Sequence, residues 1–102
     1  MKREYKNLPN PITEPKEFNE YLRRNNTLIY ESDFWILIKN SYIENQLVCF
    51  SKNPHAMGIG DLLKEELLDL QNILINYNDN HIYINALKNK SIPNRFHIHI
   101  KL

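Results

Sequence analysis

The chain has 102 residues, of which 42% are hydrophobic and 25% charged, a balance that suits one globular domain and excludes a disordered or fibrous protein. Thirteen basic against twelve acidic residues leave a net charge of +1, so no global field draws the protein to nucleic acid or to an anionic membrane. Cys49 is the only cysteine, which excludes an intramolecular disulfide framework; between Val48 and Phe50 it reads as a small buried hydrophobe.

The first stretch, MKREYKNLPNP, is polar and lacks the apolar core of a signal peptide, and no apolar run approaches the ~18 residues of a membrane span. A cytoplasmic protein that does not associate with membranes is expected. Residues 1–12, with Pro9 and Pro11, read as an extended arm. A first helix is predicted over 13–25, with Thr13 as its cap, Pro15 in the first turn and Glu17 placed for the helix dipole. Phe18, Tyr21 and Leu22 form its apolar stripe, and Asn25-Asn26 ends it.

Residues 27–102 are expected to supply the sheet and the main helix. Strands Leu28–Tyr30 and Phe34–Ile38 flank the turn residues Glu31-Ser32-Asp33, and a loop over Asn40–Asn45 follows. Gln46–Ser51 is nearly continuous in apolar residues, as a strand buried on both faces requires. After the loop Lys52–Gly60, the main helix is predicted over about 63–77. Leu63, Leu67, Leu70 and Leu74 form its stripe, with Lys64, Glu65, Glu66 and Asp69 as a solvated face. Strands His81–Leu87 and Arg95–Lys101 complete the order α-β-β-β-α-β-β. The fold class is α+β, a five-stranded antiparallel sheet with two helices in one domain, 1–102.

The last strand alternates strictly. Phe96, Ile98, Ile100 and Leu102 share one face, while Arg95, His97, His99 and Lys101 share the other. Side chains two apart on a strand lie roughly 7 Å from each other, so two imidazoles and two cations line one ridge. Such a ridge suits a solvated polar face, a pair of metal-ligating histidines or a phosphate-handling site. A metal would need further ligands, and His55, His81, Asp61 and Cys49 stand at no metal-motif spacing. The octet alone does not choose among these three.

Five segments taken in order carry a wider pattern: WILIKNSY (Trp35–Tyr42), QLVCFSKNPH (Gln46–His55), IGDLLKEELLDL (Ile59–Leu70), YINA (Tyr83–Ala86) and SIPNRFHIHI (Ser91–Ile100). Together, over Phe34–Leu102, they resemble the histidine triad (HIT) superfamily of nucleotide-binding proteins, phosphoramidases and dinucleoside polyphosphate hydrolases. The gap from His55 to Asp61-Leu62 equals the family's gap from its loop histidine to its Asp-Leu pair.

The resemblance implies a role for each matching residue. His97 matches the middle histidine, which attacks the α-phosphorus in catalytic members, and His99 the last, which contacts the phosphate and assists the leaving group. His55 matches the loop histidine behind the active site. Ser91 and Asn85 correspond to groups near the phosphate, and Asn40 to a ribose-side asparagine. Arg95 occupies the place of the first triad histidine and is suited to offset phosphate charge. A register shifted by three residues after Pro93 instead makes His99 the nucleophile and Lys101 the third member. The resemblance further implies a purine nucleotide substrate, no cofactor or metal for the attack, and a homodimer. Loss of the first histidine leaves two functional expectations: a hydrolase or nucleotidyl transferase, or a catalytically inactive nucleotide-binding or interaction module of the same fold.

Overall fold

The computed structural model describes residues 8–85 and 92–102. Its architecture is the expected α+β one: a five-stranded antiparallel sheet with a helix on each face. In chain order the elements are α1 (Pro15–Asn25), β1 (Thr27–Glu31), β2 (Trp35–Lys39), β3 (Gln46–Ser51), α2 (Lys64–Leu74), β4 (His81–Tyr83) and β5 (His97–Lys101). The sheet order is β1-β2-β3-β5-β4. The last strand therefore lies between β3 and β4, and β3 is buried along its whole length.

Alternation divides the core in two. Trp35, Leu37, Leu47, Cys49, Ile98 and Ile100 point to the face covered by α2 and pack on Leu70 and Ile73. Ile36, Ile38, Val48 and Phe50 point the other way, onto Phe18 and Leu22 of α1. Trp35 Nε1 donates to the Glu66 carbonyl at 2.9 Å, fastening α2 to the sheet.

Three local expectations are corrected. The first helix starts at Pro15 rather than Thr13, and Glu14 at its N-cap makes no side-chain capping bond. Asn10 Oδ1 instead accepts the Ile12 and Thr13 amides, and a residue preceding proline is disfavoured in the helical region. The main helix spans Lys64–Leu74 and tightens into a 3₁₀ turn over Ile75–Tyr77, and a second 3₁₀ turn covers Ile59–Asp61.

The main helix is also rotated from its leucine stripe: Leu70 and Ile73 are buried, whereas Leu63 and Leu67 are exposed. Glu66, expected on a solvated face, is only 3% exposed. Its carboxylate accepts the Leu63 amide at 2.8 Å and the Asn53 side-chain amide at 3.1 Å. Asp69, likewise expected in solvent, is half-buried and accepts a hydrogen bond from Ser32. With apolar residues on nearly every side of this helix, periodicity alone cannot select the inward face; the acceptor needed at the N-terminus does. Strand β4, expected over His81–Leu87, ends at Tyr83: Ile84 and Asn85 are not strand, and Ala86 and Leu87 lie outside the described residues.

Candidate functional site

In β5 the period of two sends Ile98 and Ile100 to the α2 face and His97 and His99 to the α1 face. His97 is paired with Phe50, and His99 with Val48 on one side and Tyr83 on the other. The α1 helix covers the β2–β3 end of this face. Beyond it a small pocket opens, floored by Ile38, Val48 and Phe50 and walled by Leu22 and Ile92. Asn26, Asn40, Tyr42 and Asn85 supply its polar rim, and both histidines line it.

The two imidazoles are not a solvated face: His97 is 4% and His99 9% exposed. They meet edge to face with centroids 5.1 Å apart. Phe50 stacks on His97 at 4.7 Å and Tyr83 on His99 at 5.1 Å. Each ring is thus held between an aromatic neighbour and the other imidazole. Among the described residues no group of three or more His, Cys, Asp or Glu side chains converges as a metal site.

Hydrogen bonds set the ring states. His97 Nδ1 lies 2.9 Å from the Arg95 carbonyl oxygen. A carbonyl only accepts, so Nδ1 carries the proton and, in the neutral ring, Nε2 holds the lone pair. His99 Nε2 lies 3.1 Å from the Asn85 amide nitrogen. An amide meets either state of that ring, donating through NH₂ to a bare Nε2 or, turned over, accepting from a protonated one.

A second chain of polar groups runs behind His99. Asn40 Nδ2 donates to Gln46 Oε1 at 2.6 Å, and Gln46 Nε2 donates to the Tyr83 hydroxyl at 2.7 Å. Asn40 Oδ1 also accepts the Tyr42 and Ile43 amides, closing the turn between β2 and β3.

Arg95 and His55, also expected at the site, lie apart from the pocket. Arg95 does not line it. Its guanidinium is wholly buried and donates to Pro11 O at 2.7 Å, and to Ser51 O and Asn19 Oδ1, each at 2.9 Å. It lies over the Phe18 ring at 4.7 Å. Burial pushes it down to about 10, which leaves it charged at neutral pH. The donors expected to offset phosphate charge thus hold the amino-terminal segment and α1 onto the sheet. A cation with carbonyl partners inside the fold is no ridge residue, because the chain becomes strand only from His97 onward.

His55 is exposed in the loop after β3, where its amide donates to Asn53 Oδ1. It borders an open depression with Asp33, Lys52 and Asp61, not the histidine pocket. Lys101 is exposed. Ser91 lies outside the described residues. The structure therefore brings together His97, His99, Asn85 and Asn40.

Sequence reasoning passed over Tyr83, Gln46, Phe50, Tyr42 and Asn26 as site residues. A signal existed for Phe50: it shares the alternation of Val48 on a strand adjacent to the histidines. None existed for the Gln46–Tyr83 bond, which spans 37 positions and depends on β5 lying between their strands.

Chemically, the pocket offers imidazole and amide groups over an apolar floor. No carboxylate lines it among the described residues, so an anion meets no opposing charge. Its volume is about 60 Å³, room for a few waters at roughly 10–15 Å³ each, or one phosphoryl-sized group. The rest of a larger ligand must lie outward, along the rim at Asn26 and Tyr42. Comparison with known protein families and with curated proteins found no match to the chain.

Proposed function

We propose that the protein is a HIT-like nucleotide-binding hydrolase or nucleotidyl transferase. It acts on the α-phosphorus of a purine nucleoside phosphoramidate or dinucleoside polyphosphate through a covalent nucleotidyl-His97. His97 Nε2 attacks the α-phosphorus; the P–N or P–O bond to the leaving group breaks with that electron pair departing on the leaving atom. His99 gives a proton to the departing group. Water then attacks the phosphorus of nucleotidyl-His97, returning the imidazole and releasing nucleoside monophosphate, while its proton passes to His99.

The observation that carries this reading is the His97 Nδ1–H bond to the Arg95 carbonyl, beside a second imidazole in a phosphoryl-sized pocket. A nucleophilic imidazole needs its far nitrogen basic and its ring immobile, and a main-chain acceptor supplies both. It also favours His97 as nucleophile, because a main-chain carbonyl fixes the proton on its Nδ1. A cytoplasmic setting suits such a substrate. No helix among the described residues is long and apolar enough to cross a membrane.

The test is release of nucleoside monophosphate from adenosine and guanosine phosphoramidates and dinucleoside polyphosphates, by wild type and His97→Ala without added metal. Product from wild type alone supports the mechanism; equal turnover by both defeats it. The second reading, an inactive binding module, is favoured by Arg95, whose buried guanidinium supplies no first-histidine function. It predicts nucleotide binding to wild type with no product.

A homodimer belongs to the same proposal. Leu63, Leu67, Leu68 and Ile75 leave the outer side of α2 and its flanks exposed and apolar, as a partner-facing surface would be.

A further inference from the structure

We propose that Tyr83 is the positioning residue of His99, held in place by a relay of side-chain amides that begins in the turn between β2 and β3. The Tyr83 ring lies nearly parallel to the imidazole, 14° between planes at 5.1 Å, on the adjacent strand and at the paired position. Stacking alone leaves a ring free to slide or swing about χ1 and χ2. The hydroxyl removes that freedom: Gln46 Nε2 donates to it at 2.7 Å. Gln46 is itself 5% exposed and is fixed by Asn40 Nδ2 at 2.6 Å.

Asn40 cannot yield easily, because its other atom, Oδ1, holds the Tyr42 and Ile43 amides. The turn it closes ends at Asn45, in the left-handed region at φ 56°, a conformation asparagine tolerates. The Asn45 carbonyl accepts the Leu102 amide, which ties the turn to the end of the histidine strand. Tyr83 touches His99 on one side and Asn85 bonds it at Nε2. Besides its edge contact with His97, the imidazole thus meets two residues in and just beyond the short edge strand β4, and β4 is tied to β3 through Gln46. An edge strand of three residues gains little rigidity from its own ladder; the Gln46–Tyr83 bond pins it at the place where the imidazole needs a wall.

The test is the long-range ¹H–¹⁵N spectrum of the uniformly labelled full chain, which reads the tautomer and exchange behaviour of each histidine. Wild type is expected to show His99 in a single ring state at neutral pH. Tyr83→Phe and Gln46→Met cut the relay from its two sides and should each broaden the His99 signals or average them between tautomers. The double variant should go no further than Gln46→Met alone, because that substitution already removes the bond that Tyr83→Phe removes. His97 is the internal control: its tautomer is set by a main-chain carbonyl and should stay unchanged, reporting an intact fold.

An unchanged His99 spectrum in either folded single variant overturns the proposal. Gln46→Met keeps side-chain volume and decides the matter if Tyr83→Phe does not fold. The kinetic consequence rests on the proposed reaction: kcat should fall about ten- to hundredfold in both variants with KM unmoved. Absence of product from wild type would sink that reaction, while the spectra would still decide the role of Tyr83.

Discussion

His97 and Arg95 are joined through the backbone, with His97 Nδ1–H donating to the Arg95 carbonyl oxygen at 2.9 Å. One residue thus performs two unrelated tasks. Its carbonyl sets the tautomer of the imidazole, and its guanidinium, facing away, gathers Pro11, Asn19 and Ser51. The first task uses no side-chain atom, so substitution separates them.

Arg95→Met should therefore cost stability rather than chemistry. It leaves the Pro11 and Ser51 carbonyls and the Asn19 side chain without their donor, and buried groups stripped of a partner lose about 1–3 kcal/mol each. A loss of about 3 kcal/mol or more by urea denaturation is expected. Arg95→Lys, which keeps the charge but not the fork, should fall between the two. Substrate KM should stay near wild type. A large rise in KM with stability unchanged would assign the guanidinium to the ligand instead.

Acid sensitivity should trace to Glu31. Its carboxylate is held down to about 2, chiefly by the hydrogen bonds from Arg23, with Lys52 adding to them against the opposing cost of burial. A carboxylate depressed in the folded state stabilises the protein fully above its ordinary value of 4.5. That stabilisation drains away as pH falls from there towards about 2. The cluster is partly exposed, with Glu31 side-chain exposure at 22%, so screening trims its worth to about 1 kcal/mol. Glu31→Gln should lose that amount at pH 7 and show a flatter acid limb between those two values, read by denaturation at a series of pH values.

Cys49 should be inert in the folded protein. It is wholly buried in the α2-side core, and burial, with a smaller push from Asp69, raises the thiol to about 12. Only the thiolate reacts at a useful rate. An aromatic disulfide reagent should leave native protein unlabelled and label one thiol per chain after denaturation. Rapid labelling under native conditions would mean that this core opens locally.

Leu68→Glu probes the outer side of α2. Leu68 is 52% exposed, so the substitution should shift stability by no more than about 0.5 kcal/mol. If two copies meet there, light scattering should report a dimer for wild type and a monomer for the variant. Equal masses would rule out this side of α2 as the contact.

The sequence by itself determined the fold class, the residue content of most strands and the partition of the last one. Those properties follow from local periodicity: Ile98 and Ile100 had to face one way and His97 and His99 the other, whatever lay around them. It also pointed to Cys49 as a core residue, as the structure has it. Only the tertiary structure decided what the histidine face meets, because Phe50 and Tyr83 come onto the imidazoles from other strands, and α1 is held on that side of the sheet by Arg95. The same holds for α2, whose apolar residues lie on nearly every side; docking of Glu66 and Trp35 chose its inward face. Tyr83 came beside His99, and Gln46 within reach of Tyr83, through the strand order β3-β5-β4, and strand order is a matter of long-range pairing, which no local pattern encodes.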